Sequence, residues 1–269
     1  MTTPLGIAVA GIGGRMGRQV ATAVLADPAF QLTGGTARPE SPVVGLDVGQ
    51  IAGGSASGVL VDADLAAVLR GADVLVDFTT PAVTRYNLDV CREVGRPIVV
   101  GTTGLAASDL AHLRETANSI PVFFAANMSV GVNLVVEILP QIARALAAEY
   151  DIEIVESHHR HKKDAPSGTA LRLAEVIAEA LDVSLSDVSV QGRSGLAPRQ
   201  AGDIGMHSVR AGGIVGEHTV LFASEGEQIE IKHRAYSRQT FVLGALRAAR
   251  FVVGQPPGLY SMRELLAAG

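Results

Sequence analysis

Six consecutive residues, His158, His159, Arg160, His161, Lys162 and Lys163, carry side chains that can be cationic. The chain around them is acidic, with 22 Lys and Arg against 27 Asp and Glu and a net charge of -5. Such a local reversal focuses the field on an anion. The next residues, Asp164-Ala-Pro-Ser-Gly-Thr169, read as a helix start with Ser167 as its N-cap. Helix N-termini bind carboxylates through their N–H groups. One stretch therefore offers imidazoles for proton transfer, ammonium groups for acid catalysis or charge pairing, and a backbone anion site. Two plainer readings compete. A charge run is commonly a solvated loop. His158, His159 and His161 would also suit a metal, although the adjacent cations oppose a dication and no His-Glu-x-x-His pattern is present.

A second chemical feature stands near the N-terminus. Gly11, Gly14 and Gly17 punctuate Ala10-Gly-Ile-Gly-Gly-Arg-Met-Gly17, between a β-like run and a helical one. Glycines allow a tight turn and a close approach of backbone to a pyrophosphate, and the helix N-terminus adds free N–H groups. Arg15 is placed to reach a phosphate. A plain strand–helix turn is the alternative. An acid at the end of the second strand would bind the ribose hydroxyl of NAD. That place reads Gly34-Gly-Thr-Ala-Arg38, with no acid. Arg38 suits a 2′-phosphate instead, which favours NADPH and leaves NADH possible.

Both features need elements to hold them. Apolar runs at 7–10, 30–36, 74–78, 97–100 and 120–124 predict strands, and 65–70, 82–94 and 108–117 predict helices between them. Strands apolar throughout and separated by helices predict a parallel sheet covered on both faces. The loops 77–81, 101–104 and 125–128 each end a strand, where open parallel sheets bind ligands. The Gly- and Ser-rich segment 39–57 reads as irregular. Residues 130–148 predict a long helix, 151–156 a strand and 168–181 a helix. Strands follow at 188–191, 205–209, 214–222 and 228–234. A helix at 238–253 and a short one at 261–266 close the chain. The expected architecture is α/β: a Rossmann-type domain over 1–129 with 239–269, and a smaller α+β domain over 130–238 with a mixed, largely antiparallel sheet.

Composition excludes several classes. Acidic charge and 4% aromatic residues without Trp argue against nucleic-acid binding. No apolar run approaches the ~18 residues a membrane span needs. A single cysteine, Cys91, and an N-terminus without signal-peptide features predict a reducing, cytoplasmic setting.

The run Glu156-Ser-His-His-Arg-His-Lys-Lys-Asp-Ala-Pro-Ser-Gly-Thr-Ala170 closely resembles the signature of the dihydrodipicolinate reductases of lysine and diaminopimelate biosynthesis. Gly11–Gly17, Asp77-Phe-Thr79, Gly101–Gly104, Phe124–Asn133 and Arg210–His218 resemble the same family, in its order and over nearly the whole chain. The resemblance implies reduction of 4-hydroxy-tetrahydrodipicolinate, with loss of water, by NAD(P)H. It implies proton-transfer roles for His158 and Lys162, and substrate binding by His159, Gly168 and Thr169. It implies nucleotide contacts at Gly11, Ile12, Gly13, Gly14, Arg15 and Met16, at Gly101, Thr102 and Thr103, and at Ala125, Ala126, Asn127 and Met128. Arg38 matches a 2′-phosphate contact. The acid that often precedes it in the family is Ala37 here, which favours NADPH. Family members are usually homotetramers. The competing readings are another dehydrogenase of a small acid, and a non-catalytic NADPH sensor.

Overall fold

Apolar runs without polar interruption must be buried on both faces, and the first part of the chain folds accordingly. The computed structural model describes residues 3–268. It begins with β1 (Leu5–Ala10), α1 (Arg15–Ala26), β2 (Phe30–Thr36), α2 (Val48–Ile51), β3 (Val61–Asp62) and α3 (Leu65–Leu69). It continues with β4 (Val74–Asp77), α4 (Pro81–Val94), β5 (Ile98–Val100), α5 (Ala107–Thr116) and β6 (Pro121–Phe124). The side-chain period of two sorts each strand between two cores. Ile7 and Val9 pack on one side with Val20, Ala21 and Val24 of α1. Ala8 and Ala10 pack on the other with Leu65 and Leu69 of α3 and Leu88 and Cys91 of α4. Pro81 opens α4, and Gly95 ends it in the left-handed conformation.

The chain then forms α6 (Val130–Leu146), β7 (Asp151–His158), α7 (Gly168–Ala180), α8 (Leu185–Val188) and β8 (Ser189–Gln191). β9 (Ile204–Arg210), β10 (Gly216–Ala223) and β11 (Gln228–Ala235) follow. These strands make a sheet in the order β11-β10-β7-β9-β8. It is mixed, but evenly so: β10 pairs antiparallel with β7 and β11, while β9 pairs parallel with β7 and β8. Ile152 and Ile154 of β7, Ile204 and Met206 of β9, and Val220 and Phe222 of β10 pack in one core with Leu173 and Ile177 of α7. Leu139 and Ala143 of α6 join it.

The last segment is α9 (Gln239–Val252), β12 (Gly258–Tyr260) and α10 (Met262–Ala267). It completes the first sheet, whose order is β12-β6-β5-β4-β1-β2-β3 with every pairing parallel. α9 buries Val242, Ala245, Leu246, Ala249 and Val252 in the core that α1 covers. The chain thus divides into two compact units, Met1–Val130 with Gln239–Gly269, and Gly131–Arg238.

Four elements depart from the sequence expectation. The segment read as irregular holds α2, because the Asp47 carboxylate accepts from the N–H groups of Gln50, Ser57 and Gly58 and so gathers the loop. β3 and β12 have two and three residues, too few for a periodic signal. β7 runs to His158, two residues beyond the expected end.

Candidate active site

In the first unit the strand order reverses between β1 and β4, the place where open α/β sheets bind ligands beyond the strand ends. Gly11 there has φ +64°, and a Cβ on it would stand 2.7 Å from the Thr79 side chain. A Cβ on Gly17 would stand 2.4 Å from the Gly11 carbonyl oxygen. The turn is therefore built for bare backbone. Gly14 is the N-cap of α1 and supplies no side-chain acceptor to its first turn. The residues present thus fit an anionic dinucleotide. Gly11 and Gly13 are partly covered, and Gly14 and Arg15 are exposed. The Ile12 side chain is buried in the core and its N–H goes to the Thr36 carbonyl.

An open cleft lies beside this turn. Met16, Gly101, Thr102, Thr103, Ala126, Asn127 and Met128 line it, all anticipated from sequence. Gly11 to Arg15, Arg38 and Ala125 do not. Arg38 is exposed and 3.4 Å from Glu40. Phe78, Thr79 and Phe241 also line the cleft. Phe241 had no signal, because it comes from α9, far along the chain. Phe78 explains Gly101: a Cβ on that glycine would meet the ring at 2.1 Å. Beneath the cleft, buried Asp77 accepts from the Thr79 N–H (2.8 Å), the Thr79 hydroxyl (2.6 Å) and the Asn87 amide (3.0 Å). The Thr84 and Thr102 hydroxyls bond at 2.7 Å. These bonds hold the cleft loops in place.

In the second unit, period two carries the inward face of β7 from Ile152 and Ile154 to Glu156 and His158, both buried. His158 is therefore a strand residue and not part of a loop. His159 is half-buried, with an Nδ1 that has no hydrogen-bond partner among the described residues, and His161 is exposed. The run that looked uniform splits into side chains with different surroundings. Lys162 is 2.9 Å from Asp164.

A buried carboxylate needs partners. Arg210 of β9 donates to both Glu156 oxygens, at 2.7 and 2.8 Å. His158 Nδ1 lies 2.5 Å from Oε2, and the Ser167 N–H donates to Oε1 at 3.1 Å. Burial pushes the Glu156 carboxyl up, but the bonds from Arg210 and then His158 outweigh it and hold it at about 2. Burial pushes His158 below the usual imidazole range, against the pull of Glu156, and the charges of Lys162 and Arg210 add to the push. Glu156 and Arg210 stand in segments quoted for the family resemblance, but the sequence reading gave neither a role. Arg210 lies more than fifty residues from Glu156, and only the β7–β9 pairing brings them together.

Ser167 caps α7 by accepting from the Ala170 N–H at 3.1 Å, so Gly168 and Thr169 form its first turn. The Ser167 hydroxyl also lies 3.0 Å from His218 Nε2, and the His218 ring stands edge-on to His158 at 5.2 Å. Burial and then the charge of His158 push His218 down to about 4. His218, His233 and Thr169 line a small, largely apolar cavity.

The family description "Dihydrodipicolinate reductase, N-terminus" matches residues 5–128, and "Dihydrodipicolinate reductase, C-terminus" matches residues 131–266. The chain is 51% identical over 259 residues to the 4-hydroxy-tetrahydrodipicolinate reductase of Methylococcus capsulatus, covering 96% of each. It is 52% identical over 262 residues to that of Chromohalobacter salexigens, covering 97% of each. A dipicolinate-bound dihydrodipicolinate reductase from Paenisporosarcina sp. TG-14 matches with a TM-score of 0.77 and 25% identity, covering 96% of this chain and 98% of that one. GenD2, solved in complex with NAD, shares the fold at a TM-score of 0.58 and 16% identity, over 99% of this chain and 91% of that one. Among the described residues no helix is long and apolar enough to cross a membrane.

Proposed function

The chain belongs to the dihydrodipicolinate reductase family, and from that premise we propose that it reduces 4-hydroxy-tetrahydrodipicolinate to tetrahydrodipicolinate. The balanced reaction takes one NAD(P)H and one proton, and releases NAD(P)+ and water. The bound nicotinamide supplies the hydride. This chain's residues bind, orient and move protons.

The first unit holds the dinucleotide. The turn from Gly11 to Met16 takes the pyrophosphate on its N–H groups, and Gly101–Thr103 and Ala126–Met128 line the cleft. Arg38, without an acid before it, favours the 2′-phosphate of NADPH. The second unit holds the substrate. His159 and the α7 start at Gly168 and Thr169 take a substrate carboxylate. Hydride addition to the conjugated imine leaves an electron pair that ends on a ring carbon or nitrogen. His158 and Lys162 supply the proton that stabilises it. The single observation that carries the reading is His158, a buried imidazole held against an ionised carboxylate with Lys162 close in the chain. A homotetramer is the proposed assembly, supported by half-exposed Val209 and Ile229 on strands of the second sheet. Light scattering tests it.

The deciding assay follows loss of NADPH absorbance, then of NADH, with the synthase product as substrate. Turnover is expected with both, and more efficient with NADPH. Lys162→Ala should lower turnover about 100-fold or more with nucleotide affinity unchanged. Near-normal turnover in that variant would sink the assignment.

A further inference from the structure

Glu156 is held by Arg210, His158 and the Ser167 N–H, and none of the proton or hydride transfers above uses it. It is 1% exposed, a burial that a carboxylate tolerates only when fully paired. The Arg210 fork takes both oxygens and fixes the plane of the carboxylate. The Ser167 N–H holds Oε1, which leaves Oε2 aimed at His158 Nδ1. A second bond from Arg210, to the Asp164 carbonyl at 2.6 Å, anchors the fork to the segment that follows Lys162. A carboxylate held ionised by a guanidinium only accepts. The ring nitrogen it faces must therefore carry the hydrogen, and Nε2 is left for exchange.

The surroundings of Nε2 agree. No hydrogen bond engages it among the described residues. Its neighbour is the backbone of Gly216 on β10, where a Cβ would stand 3.0 Å away. Glycine at that position keeps the far side of the ring clear.

We propose that Glu156, locked by Arg210, is the positioning residue of the reduction: it fixes His158 with the hydrogen on Nδ1 and makes Nε2 the atom that exchanges the proton with substrate. The inference rests on His158 being the proton-transfer group. As the new C–H bond forms, an electron pair is left on the substrate ring. The Nε2–H bond of protonated His158 breaks and its proton joins that pair. The neutral imidazole keeps its Nδ1 hydrogen on Glu156, and the one proton that the overall reaction takes from solvent restores Nε2. The charged and titratable groups facing the ring come from every side. Glu156 on β7 favours the imidazolium, while Lys162 after β7 and Arg210 on β9 oppose it. His218 on β10 stands edge-on to the ring.

The test compares the wild-type protein with Glu156→Gln and Gly216→Ala. Nitrogen NMR of isotope-labelled histidine reports the His158 tautomer, and steady-state kinetics report turnover across pH. The wild type is expected to show the Nδ1–H form. Glu156→Gln should lower turnover about 100-fold with nucleotide affinity unchanged. Its alkaline fall-off should move to lower pH, since the charge that favours the imidazolium is gone. A merely structural role would lower activity without moving that limb. Gly216→Ala leaves Glu156 and Arg210 in place, and should lower turnover by crowding Nε2 while the tautomer stays. If Glu156→Gln does not fold, the wild-type tautomer and Gly216→Ala decide. An Nε2–H tautomer in the wild type, or wild-type turnover and pH profile in Glu156→Gln, overturns the proposal. A wild type that shows the Nδ1–H form but never turns over this substrate overturns the functional reading instead, and leaves the tautomer assignment supported.

Discussion

A buried histidine that stays neutral ties stability to pH. His218 is 5% exposed, and its pKa falls from the model-peptide 6.5 to about 4 on folding. Between those values the unfolded chain binds the proton more readily than the folded one. Stability therefore declines as pH falls from 6.5 toward 4, by roughly 3 kcal/mol in all. Glu156 acts lower down. Its depressed carboxyl contributes stability that is present above about 4.5 and lost as pH falls toward 2. His218→Gln, which retains a partner for the Ser167 hydroxyl, should flatten the upper part of that curve and leave the lower part. Urea denaturation at a series of pH values measures both. An unchanged slope between pH 6.5 and 4 would remove His218 from the account.

At the scale of elements, the turn between β1 and α1 depends on an absence of side chains. Gly17→Ala would place a methyl 2.4 Å from the Gly11 carbonyl oxygen, which is backbone and cannot swing aside. The turn must open, at a cost of about 1–3 kcal/mol. Nucleotide affinity should fall about tenfold or more while the fold of the second unit persists, and fluorescence titration with NADPH together with circular dichroism checks this. Much at this scale was legible in the sequence. Doubly buried strands such as β4 and β5 announce themselves by unbroken apolar runs, and Ser167 announces α7. β7 was legible only as far as its apolar residues went. Glu156 and His158 keep the inward period, but inward charge is indistinguishable from a loop until Arg210 is seen beside it. The partners of a buried ion pair are set by strand pairing across some fifty residues, which one-dimensional spacing does not carry. The cleft loops were readable because each is local; Phe241 was not, because α9 reaches the cleft from the other end of the chain.

For the whole molecule, the first unit is discontinuous, and residues after Gln239 supply part of its core. Val242, Leu246 and Val252 of α9 are almost fully buried there. Each is worth roughly 1.5–3 kcal/mol, and together they rival a typical net stability of about 5–15 kcal/mol. A chain ending at Arg238 should therefore fail to bind NADPH, although the first unit would retain every glycine of its turn. Calorimetric titration of that truncation measures the loss, and wild-type affinity would show that the returning helix is dispensable.

The same return path sets an order in time during synthesis. The second unit is one continuous stretch, complete once Arg238 has left the ribosome. The first unit leaves earlier but waits for α9 and β12 before its sheet and core can close. Nascent chains fold as their domains complete. Of the two units, the one begun first is thus finished last, and until α9 and β12 emerge its strands remain exposed to chaperones and to neighbouring chains.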